Sequence, residues 1–230
     1  MTLRLEGVTR VYHQGDQVIR ALSEVSLELD KGEFVALAGP SGSGKTTLLN
    51  VASGLDCPTQ GTVWVNGQNL TQMKRSQLAK LRLEEIGFVF QSHNLIPVLT
   101  AHENAEFILL LRGVPVSERR TRVRDILKEV GLEGMEDRRP SELSGGQQQR
   151  VAVARAIVAE PSLVLADEPT ANLDSETAFA LLDVMEDLNR DHGTTFLFST
   201  HDTRVMNRAR RIVELVDGRI NTDIGSPVPE

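Results

Sequence analysis

The sequence predicts an α/β protein with a mostly parallel sheet, an N-terminal antiparallel β subdomain, and an α-helical subdomain inserted into the core. Strand and helix patterns alternate at both ends of the chain, as they do in parallel α/β folds. β-rich segments bounded by turns occur on both sides of the first helical pattern. Residues 92–160 are mostly helical in pattern and separate the two alternating regions.

The first part of the chain has the signals of short strands and one helix. The predicted strands are residues 3–8, 25–29 and 62–65, and a fully buried strand at 34–38. Asn66-Gly67 is a strong signal for a two-residue hairpin turn. A helix is predicted over 46–53, and Gly54 ends it.

Helical periodicity dominates the middle of the chain, and strands return near its end. Thr100 and Glu103 fit a capping box, and Gly131 closes an amphipathic helix around residues 123–130. The other predicted elements are strands near 87–90, 163–166, 194–199 and 212–215, a helix over 148–160, and a helical apolar stripe over 178–188. The residues from Gly225 to Glu230 are expected to be a frayed end.

Composition excludes several classes of protein. The 230 residues include 25 Lys and Arg against 32 Asp and Glu, for a net charge of −7, which disfavours broad binding to nucleic acid. Cys57 is the only cysteine, so no intrachain disulfide can form. No apolar run is long enough to span a bilayer, and the first residues lack the apolar core of a signal peptide. We therefore expect a cytoplasmic protein.

The segment from Gly39 to Thr46, Gly-Pro-Ser-Gly-Ser-Gly-Lys-Thr, matches a phosphate-binding loop. Glycines let backbone N–H groups turn inward around an anion, and the following helix directs its positive end at the phosphates. Lys45 supplies a positive charge, and the Thr46 hydroxyl can bind Mg²⁺. The predicted nucleotide-binding residues here are Gly39, Ser41, Gly42, Ser43, Gly44, Lys45, Thr46 and Thr47.

Two carboxylates follow the predicted strand at 163–166. Asp167 is placed to hold Mg²⁺, usually through water, and Glu168 to polarise a water for attack on phosphorus. Alone, an apolar strand ending in Asp-Glu is more often a strand running into a turn. Beside a phosphate-binding loop, the metal-binding interpretation is favoured.

A second anion-binding segment is predicted at Ser144, Gly145, Gly146 and Gln147, where a serine and two glycines open a helix. The alternative is a helix start with a serine cap and no further role. One phosphate-binding loop already serves one nucleotide. A second anion site therefore suggests contact with a nucleotide held by a different subunit.

Together these motifs resemble the ATP-binding subunit of ATP-binding-cassette (ABC) transporters, which have a RecA-like P-loop NTPase core. The segment from Leu143 to Gln147 matches the family's signature sequence, and the resemblance covers nearly the whole chain. It implies that Tyr12 stacks on adenine and that Gln91 touches Mg²⁺ and the attacking water. It implies further that Asp174 belongs to the D-loop, near the nucleotide, and that His201 contacts the γ-phosphate.

The resemblance also implies an organisation and partners. One ABC ATPase domain would fill residues 1–230, with the core and β subdomain at about 1–91 and 161–230 and the helical subdomain at about 92–160. Mg²⁺ and ATP would be the cofactors. A second copy of the chain would form an ATP-dependent head-to-tail dimer, working with an integral membrane permease on the inner face of the cell membrane.

Several segments look like the lipoprotein-release and macrolide-export subfamily, among them Gly87-Phe-Val-Phe-Gln91 and Leu165-Ala-Asp-Glu-Pro-Thr170. Permeases of that subfamily have few membrane spans and a large extracytoplasmic domain. The groove near residues 92–103 is then the expected docking site for a permease helix. Ala171 and Ser199 depart from that pattern, in which glycine and valine are common.

Two other functions remain open at this point. A soluble cassette for DNA repair or translation usually carries long coiled coils or two cassettes, and this sequence has neither. A cassette that regulates a membrane partner, as in cell-division complexes, would have the same motifs. Identification of the membrane partner would distinguish these functions.

Overall fold

The computed structural model describes residues 1–15 and 17–225. The predicted frayed end was wrong at Gly225, which is the last residue of a strand paired in the sheet, and its other residues lie outside the described ones. The strands are β1 (Leu3–Gln14), β2 (Gln17–Leu29), β3 (Phe34–Ala38), β4 (Gln60–Val65), β5 (Gln68–Asn69), β6 (Ile86–Val89), β7 (Leu163–Ala166), β8 (Thr195–Thr200), β9 (Arg211–Val216) and β10 (Arg219–Gly225). The α-helices are α1 (Lys45–Ala52), α2 (Arg75–Glu85), α3 (Ala101–Leu111), α4 (Val116–Glu129), α5 (Gly145–Ile157), α6 (Ser175–His192) and α7 (Thr203–Met206).

The predicted antiparallel β subdomain is present as a four-stranded sheet in the order β2-β1-β4-β5. Asn66 and Gly67 connect β4 to β5 with φ angles of 47° and 73°, as a type I′ hairpin turn requires. β1 and β2 continue well beyond the predicted segments. Most of the added residues are half-buried or exposed, and polar and apolar residues do not alternate regularly among them, so the pattern that predicts a strand is missing there.

The main sheet has six strands in the order β10-β9-β3-β8-β7-β6. All neighbours in it are parallel except β9 and β10, which confirms the mostly parallel core. β3 and β7 are buried at every residue, as expected for strands covered on both faces. Because the strands are parallel, the segments that follow β3, β6, β7 and β8 emerge at one edge of the sheet.

The helices follow the predicted pattern with shifts at their ends. Thr100 caps α3 as predicted, because its hydroxyl accepts the N–H of Glu103 while the Glu103 carboxylate accepts the N–H of Thr100. The prediction for α5 was wrong at both ends, since the helix starts at Gly145 and stops at Ile157. Ser144 caps it, so the two glycines form its first turn.

Two apolar clusters hold the layers together. One packs α3 to α6 against one face of the main sheet, and the other packs the antiparallel sheet, α1 and α2 against the opposite face. The phosphate-binding loop between β3 and α1 is thereby fixed at the edge where the parallel strands end. Within the described ranges, no helix is long and apolar enough to cross a membrane.

Candidate functional site

The phosphate-binding loop connects β3 to α1 in a conformation that only glycine allows at two positions. Gly39 has a φ of 149°, and a Cβ there would lie 2.2 Å from the carbonyl oxygen of Leu215. Gly44 has a φ of 106°, and a Cβ would lie 2.5 Å from the carbonyl oxygen of Ala21. The backbones of β2 and β9 are therefore packed closely against the loop. The loop cannot expand unless these two strands move.

Lys45 begins α1 and is buried. Its ammonium group donates hydrogen bonds to the carbonyl oxygens of Gly39 at 2.8 Å and Pro40 at 3.1 Å. It also lies 3.6 Å from the Glu168 carboxylate. The side chain thus curls over the loop, so its charge lies above the backbone N–H groups that would hold a phosphate.

A cleft of about 770 Å³ opens beside this loop, and we call it the nucleotide cleft. Its walls include nine predicted residues: Ser41, Gly42, Gly44, Lys45, Thr46, Thr47, Gln91, Glu168 and His201. Gly39 forms the base of the loop, and Ser43 is buried with a hydroxyl that has no hydrogen-bond partner within the described residues. One space therefore brings together the phosphate loop and the polar residues that follow β6, β7 and β8.

Asp167 and Glu168 leave the end of β7 at the edge of this cleft. The Glu168 backbone is left-handed, with a φ of 47°, an uncommon conformation for a residue other than glycine. Its carboxylate lies 3.0 Å from Nδ1 of His201. Asp202, next to His201, has its pKa lowered to about 2 by hydrogen bonds from the Arg204 side chain and backbone, so it stays ionised.

Oxygen atoms of Thr46, Gln91 and Asp167 are the predicted ligands for a divalent cation. Thr46 and Gln91 line the nucleotide cleft. Asp167 is not among the residues of its walls, but it directly precedes Glu168, which is. Hydroxyl, amide and carboxylate oxygens are the donors that Mg²⁺ prefers in proteins. The residues present therefore fit Mg²⁺ held by few protein groups and completed by water and phosphate.

Gln91 belongs to a loop whose backbone is held by two other motifs. Its carbonyl oxygen accepts a hydrogen bond from Asn172 at 3.2 Å. The buried Gln149 of α5 donates to the carbonyl oxygens of Phe90 at 3.3 Å and Pro169 at 2.8 Å. Gln149 was not predicted from the sequence. A glutamine on the apolar face of a helix does indicate a buried amide with specific hydrogen-bond partners.

The signature segment opens α5 away from the nucleotide cleft. The Ser144 hydroxyl accepts the N–H of Gln147, and the Gln147 side chain accepts the N–H of Ser144, so a reciprocal capping box begins the helix. Ser144 and Gly145 are exposed, while Gly146 is buried against Thr177. No residue from Ser144 to Gln147 lines the nucleotide cleft of the same chain.

Asp174 and Tyr12 also lie outside the walls of that cleft. Asp174 caps α6, and hydrogen bonds from the backbone and side chain of Thr177 lower its pKa. The Tyr12 hydroxyl donates to Asp56 at 2.7 Å, and the Arg10 guanidinium lies 4.4 Å from the ring centre. One face of the Tyr12 ring is therefore covered, and only the other is available to an adenine.

The fold and the nucleotide cleft define a P-loop nucleotide-binding ATPase. The family model described as "ABC transporter" matches residues 22–171, more than half of the chain. The chain therefore belongs to the ABC transporter family, as an ABC-type ATPase cassette. Both the predicted fold class and the predicted resemblance are confirmed.

Three similar proteins show which members of the ABC family this chain resembles. The chain is 44% identical over 98% of its length to the lipoprotein-releasing system ATP-binding protein LolD 1 of Caulobacter vibrioides, covering 97% of that protein. It is 44% identical over 99% of its length to the macrolide export protein MacB 1/2 of Paracoccus denitrificans, but spans only 34% of that longer protein. The solved dimeric cassette MJ0796, bound to ADP and Pi, has a TM-score of 0.90 and 41% identity, covering 99% of this chain and 100% of that one.

Replacement of Lys45 by alanine is expected to weaken ATP binding about 10- to 100-fold, because a charge-assisted hydrogen bond to phosphate is worth about 1.5–3 kcal/mol. Binding of a fluorescent ATP analogue measures this. Lys45→Met, which keeps the buried aliphatic stem, separates lost packing from lost charge. An affinity within twofold of the wild type in both variants would contradict the role of Lys45.

Proposed function

We propose that this chain is the ATP-hydrolysing subunit of an ABC transporter and that it works as a head-to-tail pair. The nucleotide cleft of one copy would face the segment from Ser144 to Gln147 of the other. The observation that carries this proposal is the separation, within one chain, of a complete phosphate loop from a second exposed, N-capped helix start. The solved relative MJ0796 is described as dimeric, which supports the pairing of two copies.

ATP would favour the closed pair because its γ-phosphate contacts both copies. Hydrolysis removes that shared contact, so the pair opens, and the shift is limited by the difference in binding between the two states. Within one copy, Lys45 would hold the phosphates and Glu168 would take a proton from the attacking water. His201 would orient the γ-phosphate or the Glu168 carboxylate, which already lies 3.0 Å away.

Mg²⁺ would be held by Thr46, Asp167 and Gln91. When bound, it would neutralise charge on the β- and γ-phosphates. Gln91 lies in the loop that joins the main sheet to α3. A change in its contact with the nucleotide would therefore move the helical region. The domain boundaries predicted at about residues 92 and 160 remain part of this proposal.

A permease helix would dock in an apolar groove of about 390 Å³ on another face of the chain. The groove lies between α2, β6 and α3, and Leu83, Phe88 and Phe107 are among its apolar walls. Arg112 and Arg155 line it too, with guanidinium groups bonded to backbone carbonyls. Of the expected segment at 92–103, only Asn94 lines this groove, so most of the proposed docking surface comes from flanking elements.

The relatives favour export or extraction as the direction of transport. LolD 1 is named for lipoprotein release and MacB 1/2 for macrolide export. We infer a cargo that is a lipoprotein, a drug or a peptide-like molecule, selected by a permease with a large extracytoplasmic domain. The chain itself would sit on the cytoplasmic face of the inner membrane, held there by that permease.

The test compares two substitutions on α3. Phe107 lines the groove and is 39% exposed, whereas Leu111 is 56% exposed and does not line it. When the chain is purified from its own detergent-solubilised membranes, Phe107→Glu is expected to lose a co-purifying permease. Leu111→Glu is expected to keep it, and the ATPase rate of either isolated chain should match the wild type.

A Phe107→Glu variant that retains the permease at the level of the wild type would contradict the proposed docking groove. A chain that purifies without any permease, and whose ATPase activity is stimulated by DNA or ribosomes, would contradict the proposed function.

A further inference from the structure

Ser199 lies at the end of β8 and is completely buried. Its hydroxyl donates a hydrogen bond to Oδ1 of Asp167 at 2.7 Å. The hydroxyl oxygen of Ser199 also accepts the backbone N–H of Glu168 at 2.9 Å. One hydroxyl group therefore bonds both residues that follow β7, which are the predicted metal ligand and the predicted general base.

The bond to Glu168 acts on a strained part of the backbone. Glu168 has a φ of 47°, a left-handed conformation that is uncommon and strained in a residue other than glycine. The N–H of Glu168 has no other hydrogen-bond partner within the described residues. The left-handed turn carries the Glu168 carboxylate to within 3.0 Å of His201 and 3.6 Å of Lys45. Ser199 thus secures the backbone conformation on which that placement depends.

The bond to Asp167 acts on a carboxylate rather than on the backbone. Because Oδ1 of Asp167 accepts the hydrogen bond from Ser199, rotation about the Cβ–Cγ bond of Asp167 is restricted. Oδ2 of Asp167 makes no hydrogen bond within the described residues. A charge-assisted bond of this kind is roughly twice as strong as a neutral one. The carboxylate is therefore preorganised before any cation arrives, which reduces the ordering cost of binding.

We propose that Ser199 is a positioning residue of the ATPase site. Its single hydroxyl fixes the orientation of the Asp167 carboxylate and the left-handed turn at Glu168 together. The inference rests on the proposed roles of Asp167 and Glu168. The lipoprotein-release and macrolide-export subfamily that the sequence resembles commonly has valine at the position of Ser199. In this chain, the alignment of both acidic residues therefore depends on hydrogen bonds that valine cannot make.

The test uses threonine and valine at position 199, two side chains of nearly the same shape that differ in a hydroxyl group. Ser199→Val is expected to lower kcat about tenfold, in line with the loss of a hydrogen bond to a charged group. It should raise several-fold the Mg²⁺ concentration needed for half-maximal ATP binding. Ser199→Thr should keep both quantities within about threefold of the wild type.

A second readout does not depend on turnover. Binding of a fluorescent ATP analogue in EDTA should be unchanged in Ser199→Val, because the phosphate loop is untouched. Thermal unfolding of each variant reports whether it folds, and Ser199→Ala replaces valine if the larger side chain prevents folding. A folded variant that lacks the hydroxyl, yet keeps kcat and the Mg²⁺ dependence within twofold of the wild type, would overturn the inference.

Asp167→Asn separates this inference from the proposed site. If Asp167→Asn shifts the Mg²⁺ dependence and Ser199→Val does not, the role of Ser199 is wrong and the site stands. If Asp167→Asn leaves the Mg²⁺ dependence unchanged, the proposed metal ligand itself is wrong. If the two substitutions act through the same carboxylate, the double variant should have the same Mg²⁺ dependence as Asp167→Asn alone.

Discussion

Glu168→Gln is expected to lower the ATPase rate roughly 100- to 10,000-fold, the usual contribution of a positioned general base. The amide has nearly the same size as the carboxylate but cannot accept a proton from the attacking water. Binding of ATP should persist, because the phosphate loop and Lys45 are unchanged. Steady-state phosphate release and binding of a fluorescent ATP analogue measure the two effects separately.

Glu133→Gln is the matched control for this substitution. Glu133 is 71% exposed and pairs at 3.8 Å with Lys128, away from the residues that line the nucleotide cleft. Its ATPase rate should equal that of the wild type. If Glu168→Gln retained more than about a tenth of the wild-type rate, the assignment of Glu168 as general base would be wrong.

Ser144→Arg should leave ATP binding by the single chain intact and prevent ATP-driven pairing. The Ser144 hydroxyl caps α5, and the side chain is exposed at the helix start. An arginine there loses the cap and fills the space from which the helix N–H groups would bind a partner's phosphate. Loss of one such contact to a charged group predicts an ATPase rate about 10- to 100-fold lower.

The same chemical change at Ser117 is the control. Ser117 is exposed at the start of α4, and it belongs to neither the signature segment nor the nucleotide cleft. Ser117→Arg should pair and hydrolyse ATP like the wild type. A Ser144→Arg variant with normal ATPase activity would show that the signature segment does not complete the site of another copy.

Those parts of the fold and site that depend on local patterns could be predicted from the sequence. β7 has the predicted bounds because Leu163–Ala166 is apolar at every residue and is followed by two acidic residues. The phosphate loop was recognisable because its glycines are required by close backbone contacts, as at Gly39 and Gly44. Both features depend on residues that are neighbours in the chain, which is what a pattern can record.

Features that depend on distant contacts could not be predicted. β10 is largely exposed and polar, so only its pairing with β9 identifies it as a strand. The bonds from Ser199 to Asp167 and Glu168 join segments that meet only in the folded sheet. Tyr12 and Asp174 were placed by resemblance, and their bonds to Asp56 and Thr177 became visible only in the structure.

In the proposed function, a second copy of the chain completes each ATP site. Light scattering of Glu168→Gln after size-exclusion chromatography measures whether two copies pair. We predict twice the mass of a single chain with Mg²⁺ and ATP, the mass of a single chain with ADP, and no ATP-dependent increase when Ser144→Arg is added. A single-chain mass for Glu168→Gln at every protein concentration, with ATP bound, would contradict the claim.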